Sequence, residues 1–217
     1  DRFTLKMATG ESATEQDWRA MRSTGTLPDR EELGGVRRYE LAIAVRCCGP
    51  TPPGTLHCYF PTDIPLPFPA LFHATLELDS SRKTLNANSE VNAAVLEALS
   101  FFYADTLVAF RDDPEVPRPL TLLARTGLFP EPLKSFETQV YAAARTRPLI
   151  LTNVGTFSTA AETKVEPSAY STYLPDRIFP ALARSRSQTD RDVIERLSVD
   201  VLKQEEMLAV LRGAEMT

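Results

Sequence analysis

Apolar and polar residues alternate with a period of two along much of the first third of the chain. Residues 2–8 set Phe3, Leu5 and Met7 against polar neighbours, the pattern of a half-buried strand. Residues 16–23 read as a second strand, with Trp18 as its core anchor. The clearest strand runs over 38–47, with Tyr39, Leu41, Ile43 and Val45 on one face and small alanines on the other. Residues 24–36 are rich in glycine, proline and charge and read as an exposed loop, and 49–54 (GPTPPG) form a turn. Residues 55–60 are then expected to return as the hairpin partner of 38–47, with Leu56, Cys58 and Phe60 inward.

After Pro61, prolines recur at 65, 67 and 69. Each lacks an amide donor, which excludes a central strand and predicts an extended connector. Its Ile64, Leu66 and Phe68 favour a crossover that plugs the core over a displayed PxxP ligand. Alternation resumes over 72–79, with Phe72, Ala74, Leu76 and Leu78 on one face. A polar loop follows, and then the pattern switches to a helical period. Asn88 or Ser89 can cap this helix, with Glu90 in its first turn. Val91, Val95, Leu99, Phe102, Thr106 and Phe110 make one stripe, widened by Leu96, Tyr103 and Leu107, so the helix is expected to be covered on more than one side.

Asp112, Asp113 and Pro114 stop the helix, and the proline- and charge-rich run 112–119 predicts a domain boundary, dividing the chain into 1–112 and 113–217. Beyond it the pattern fades. Residues 120–129 are ambiguous, 132–145 are an amphipathic helix, and 148–154 a buried strand ended by Gly155. Short helices are expected at 176–183, from a Thr189 or Asp190 cap through Leu197, and over 203–212. The last two do not suit a DNA groove, because Glu195, Glu205 and Glu206 would face phosphate.

Composition narrows the classes. The 217 residues are 43% hydrophobic and 24% charged, an ordinary globular balance. A net charge of −5 argues against general nucleic-acid binding. No apolar run is expected to span a membrane, and no charged-then-apolar leader is seen, so secretion is not expected. Cys47, Cys48 and Cys58 form no disulfide framework and no zinc spacing, so no metal site is expected and a reducing cytoplasm is. The first residue is Asp1 rather than methionine, so the chain is expected to be a piece of a longer protein.

No phosphate-binding glycine loop, metalloprotease pair, serine elbow or paired carboxylates occur. His57 and His73 are the only histidines, each on the second face of a strand, and read as structural rather than catalytic. The candidate site is therefore the loop 79–88 (DSSRKTLNAN). It joins a strand end to a helix start, where backbone amides and the helix dipole favour an anion. Arg82 and Lys83 add cationic donors, and Asn86 an amide; a guanidinium fork matches phosphate oxygens.

The order strand, proline crossover, strand, SRKTLN and long helix resembles the middle, or transducer, segment of the GHKL ATPases. The closest forms are the ninety-kilodalton heat-shock chaperone and the sacsin-like bacterial ATP-binding proteins. The chaperone carries a Ser-Arg-Glu-x-Leu-Gln pattern there, onto which Ser81, Arg82, Leu85 and Asn86 fall, while Lys83 replaces the acidic residue and Asn86 the glutamine. The resemblance covers about residues 39–110 and implies an α+β fold, an α/β sandwich with a mixed sheet and a long packed helix, followed by a smaller mixed domain. It implies that Arg82 acts in trans on the γ-phosphate of magnesium ATP, assisted by Asn86 and Lys83. The Asn-box helix, DxGxG turn and glycine-rich lid that hold the nucleotide are absent from the sequence, so the implied partners are an upstream ATP-binding domain and a protein client, within a protein able to dimerise. The alternative is a non-enzymatic scaffold of a bacterial defence or DNA-processing assembly.

Overall fold

The computed structural model describes residues 2–9, 12–27, 38–48, 53–86, 89–166, 182–183 and 187–208. The fold is α+β. The described chain falls into two compact units, Asp1–Val140 and Tyr141–Thr217.

The first unit is built on a six-stranded sheet. Its strands are β1 (Arg2–Thr9), β2 (Ser12–Thr26), β3 (Arg38–Arg46), β4 (Thr55–Cys58), β5 (Phe60–Pro65) and β6 (Leu71–Ala74). Their order across the sheet is β1-β2-β3-β6-β4-β5. Every pairing is antiparallel except β4 with β6, so the sheet is mixed. The expected hairpin of 38–47 with 55–60 is thereby corrected. β3 pairs with β6, and β4 lies beyond β6, because the proline crossover carries the chain back to insert β6 between them. Phe60 is corrected too. Tyr59 adopts a left-handed φ of 60°, which turns the chain and leaves Phe60 73% exposed rather than inward.

The crossover plugs the core as expected: Ile64, Leu66 and Phe68 are all buried. The amide of Phe68 donates to the Leu66 carbonyl and that of Ala70 to the Phe68 carbonyl, two successive three-residue turns around Pro67 and Pro69. Gly54 lets this ribbon pass. A Cβ there would stand 2.3 Å from the Leu66 carbonyl oxygen, a distance no side chain tolerates. Pro61 and Pro65 fall on β5, the edge strand, where missing donors cost least.

The long helix α1 (Glu90–Phe110) packs on the face that carries Leu41, Ile43, Val45, Leu56 and Phe72. Its buried residues include Val95, Leu96, Leu99, Tyr103 and Leu107, so the core stripe lies to one side of the expected Val91–Phe102–Phe110 line. By length and composition α1 could cross a membrane, with a mean hydropathy of 1.5, contrary to the expectation that no run approaches that length. It is the core helix of this unit, with Tyr103 wedged between Phe68 and Phe72.

The expected boundary at 112/113 falls inside the first unit, and ion pairs, a hydrogen bond and aromatic packing hold the following segment there. Arg19 on β2 pairs with Asp113 and Glu115. The Tyr103 hydroxyl donates to the Leu122 carbonyl at 2.6 Å, at the end of α2 (Pro119–Leu123). Phe68 meets Phe129 and Phe136 edge to face, with centroids 5.1 and 6.5 Å away. The unit ends within α3 (Lys134–Arg145), which follows a short 3₁₀ turn at Glu131–Leu133.

In the second unit the expected strand over 148–154 shortens to β7 (Ile150–Leu151), paired with β8 (Phe157–Ser158) around Gly155. Thr159 and Glu162 close a capping box on a 3₁₀ turn. β9 (Lys164–Val165) pairs in parallel with β10 (Asp200–Val201). The helix expected over 176–183 lies outside the described residues except for Leu182 and Ala183, which make bridges to Lys164 and Thr152. α4 (Gln188–Arg196) is capped by Ser187, ahead of the expected Thr189 or Asp190, because the Ser187 hydroxyl is the one that accepts from the Asp190 amide. Residues 204–208 are helical, and the remainder of the helix expected over 203–212 lies outside the described residues.

Candidate anion-binding loop

The loop after β6 is a tight structure with its own internal anion. Leu78 and Leu85 form an antiparallel bridge, and the amide of Asp79 donates to the Thr84 carbonyl at 2.9 Å. Within this frame the Asp79 carboxylate accepts from the Ser81 hydroxyl, at 2.7 Å and 2.8 Å to its two oxygens. It also accepts from the amides of Lys83 and Thr84, both at 3.3 Å. The Ser81 hydroxyl, then the contacts from Thr84 and Lys83, hold the Asp79 carboxyl below the ordinary carboxylate range. An aspartate here is the expected chemistry: its short side chain folds back onto the hydroxyl two residues ahead and the amides four and five residues ahead.

This geometry changes the picture drawn from residue types. The loop amides expected to serve an external anion already serve Asp79. One amide in the first turn of α1 is likewise occupied, that of Asn92, which donates to the Ser89 hydroxyl at 3.1 Å. What the loop offers outward is the side chain of Arg82. Arg82 sits at the tip with a left-handed φ of 59°, its amide donating to the Asp79 carbonyl at 3.0 Å. Its side chain is exposed, and among the described residues it has no hydrogen-bond or ion-pair partner.

The three residues named from the sequence thus have three different settings. Arg82 is unengaged. Lys83 pairs with Asp63 on β5 at 3.2 Å, and its carbonyl accepts from the Asp63 amide at 3.3 Å. Both side chains of that pair are more than half exposed, so an incoming anion can recruit the ammonium at little cost. Asn86 is fixed through its backbone: its amide donates to the Glu77 carbonyl and its carbonyl accepts from the Asn92 side chain at 3.1 Å.

Asn92 is the residue that sequence reasoning missed. It is 4% exposed, and its amide group ties the end of the β6 extension to the loop. Its oxygen accepts from the Glu77 amide at 2.7 Å, and its nitrogen donates to the Glu77 carbonyl at 2.8 Å and to Asn86. The Glu77 carboxylate in turn accepts from the Ser89 hydroxyl at 2.7 Å. Strand end, loop and helix start are therefore one hydrogen-bonded block, from which the Arg82 tip projects. The available signal was position: Asn92 is the third residue after the Ser89 cap and stands on the apolar stripe, where a polar side chain needs a partner.

Among the described residues no group of three or more histidine, cysteine, aspartate or glutamate side chains is placed to hold a metal ion. No family profile, curated protein or solved structure matches the chain.

Proposed function

We propose that this chain is the transducer (middle) segment of a GHKL-type ATPase, acting in the cytoplasm. In this reading Arg82 reaches the γ-phosphate of magnesium ATP bound by an upstream domain, and loss of that contact after hydrolysis relays motion to downstream parts. The observation that carries the proposal is an exposed guanidinium, without a partner among the described residues, on the tip of a loop held by the Asp79 and Asn92 hydrogen bonds. An arginine that stabilises charge on a transferring phosphoryl group must be held in place at its backbone yet be free at its head. Asp79, Asn92 and Ser89 supply the first condition, and the absence of a partner for Arg82 among the described residues supplies the second. The order of strand, proline crossover, strand, loop and long helix supports a transducer-like arrangement. Lys83 and Asn86 flank the tip as secondary donors to the nucleotide.

A non-enzymatic scaffold is the second reading, favoured by the adjacent Tyr59 and Phe60, which are 67% and 73% exposed at the turn between β4 and β5. Calorimetric titration of magnesium ATP into the 217-residue chain tests the transducer reading first. No binding up to millimolar nucleotide is expected, because the chain supplies an arginine and not a nucleotide pocket. Micromolar binding would overturn that division of labour.

A further inference from the structure

The sheet face turned away from α1 carries a row that no function discussed so far uses. Register places Arg22 on β2 opposite Ala42 on β3, Ala42 opposite His73 on β6, and His73 opposite His57 on β4. The two histidines of the chain are thus in-register neighbours across the one parallel pairing of the sheet. Both are half-buried. We propose that His57 and His73 form a two-imidazole site for a divalent transition-metal ion of the zinc type, completed by water or by a donor from a partner.

The geometry suits such an ion. Neighbouring strands lie about 4.8 Å apart, and in-register side chains leave the sheet side by side. A tetrahedral zinc with bonds of about 2.0–2.1 Å needs its two nitrogens about 3.3 Å apart, within reach of two imidazoles turned toward each other. Ala42, opposite His73 on β3, presents only a methyl group beside the pair. The Tyr59 ring packs edge-on against His73, with centroids 5.3 Å apart, and so limits the orientations of that imidazole.

The electrostatics agree. Burial lowers the proton affinity of His57, and His73 lowers it further. Burial also lowers that of His73, with Glu40 on β3 opposing and Arg22 adding to the effect. At neutral pH both rings are held in the unprotonated form that ligates metal. Glu40 brings negative charge to the site, while Arg22, two strands from His73, brings a positive charge that opposes a cation there. Two protein ligands make an affinity in the micromolar range the expectation, short of a closed four-ligand structural site.

Zinc titration of the full chain at pH 7.5, followed by calorimetry and by the histidine ring resonances, tests the proposal. One zinc is expected to bind per chain and to move the resonances of both rings. His57→Gln and His73→Gln should each weaken binding by at least about tenfold. The double variant should be no weaker than the singles by more than a few-fold, since one imidazole alone does not chelate. Binding should also weaken as pH falls below the ordinary histidine value near 6.5. The ring resonances of the unaltered chain keep the test decisive if a variant fails to fold. The proposal is overturned if no zinc binds at a few hundred micromolar. It is equally overturned if only one ring responds, or if binding survives both histidine changes and is lost in Cys48→Ser. None of these outcomes bears on Arg82.

Discussion

Asn92 and Arg82 show how one loop separates holding from acting. Asn92 makes three hydrogen bonds from a buried position, and cutting it to alanine leaves the Glu77 amide and carbonyl without their partner. Unmade buried hydrogen bonds cost about 1–3 kcal/mol for each orphaned group, so Asn92→Ala is expected to destabilise by about 2–4 kcal/mol. The midpoint of urea unfolding reads this directly; a loss under about 0.5 kcal/mol would show that the block is not held this way. Arg82 is the reverse case. Its side chain holds nothing among the described residues, and alanine accepts the left-handed tip no better and no worse. Arg82→Ala should therefore leave stability within about 0.5 kcal/mol, the usual range for an exposed position, so that any change in function is a change in chemistry.

At the scale of elements, the pairing of β4 with β6 sets a pH dependence through the histidines it brings together. Both have their proton affinity lowered in the folded chain, by burial first. The unfolded chain then binds protons more readily, so stability is full above the ordinary histidine value near 6.5 and falls as pH drops below it. Urea midpoints should decline between pH 7.5 and 5.5, and His57→Gln with His73→Gln should flatten that decline. A midpoint that rises toward pH 5.5 would contradict the assignment. This pairing is also where the sequence misled. Alternation marks a strand and its inner face, and it correctly found 38–47 and the inward Ile64, Leu66 and Phe68, while the strand expected over 72–79 shortens to Leu71–Ala74, with Phe72, Ala74 and Leu76 inward. It carries no information about which strand lies alongside, since the pattern of 55–60 fits β3 or β6 equally well. Phe60 was misplaced for a related reason: the left-handed Tyr59 breaks the alternation, and nothing in a tyrosine announces that conformation. The loop was legible by residue type. Its internal use of Asp79 was not, because an aspartate that binds amides and one that faces solvent look alike in a sequence.

Across the whole chain, the first unit outruns its expected end because aromatic packing crosses the charged segment 112–119. Phe68 from the crossover gathers Tyr103, Phe129 and Phe136, and Arg19 fastens Asp113 and Glu115 to β2. Charge and proline content suggested a linker there, yet charges that find partners are an attachment instead. A sheet, a core helix and a bonded loop in one compact unit are what an arginine needs if it is to be presented to a nucleotide held elsewhere. If the proposed reading holds, the most direct measurement is steady-state ATP turnover by a protein in which this chain follows a GHKL-type ATP-binding domain, compared with the same protein carrying Arg82→Ala. Arginines that stabilise phosphoryl transfer contribute roughly 10³–10⁵-fold, so turnover is expected to fall by at least about a hundredfold while ATP affinity stays within a few-fold. Turnover unchanged by Arg82→Ala would contradict the account.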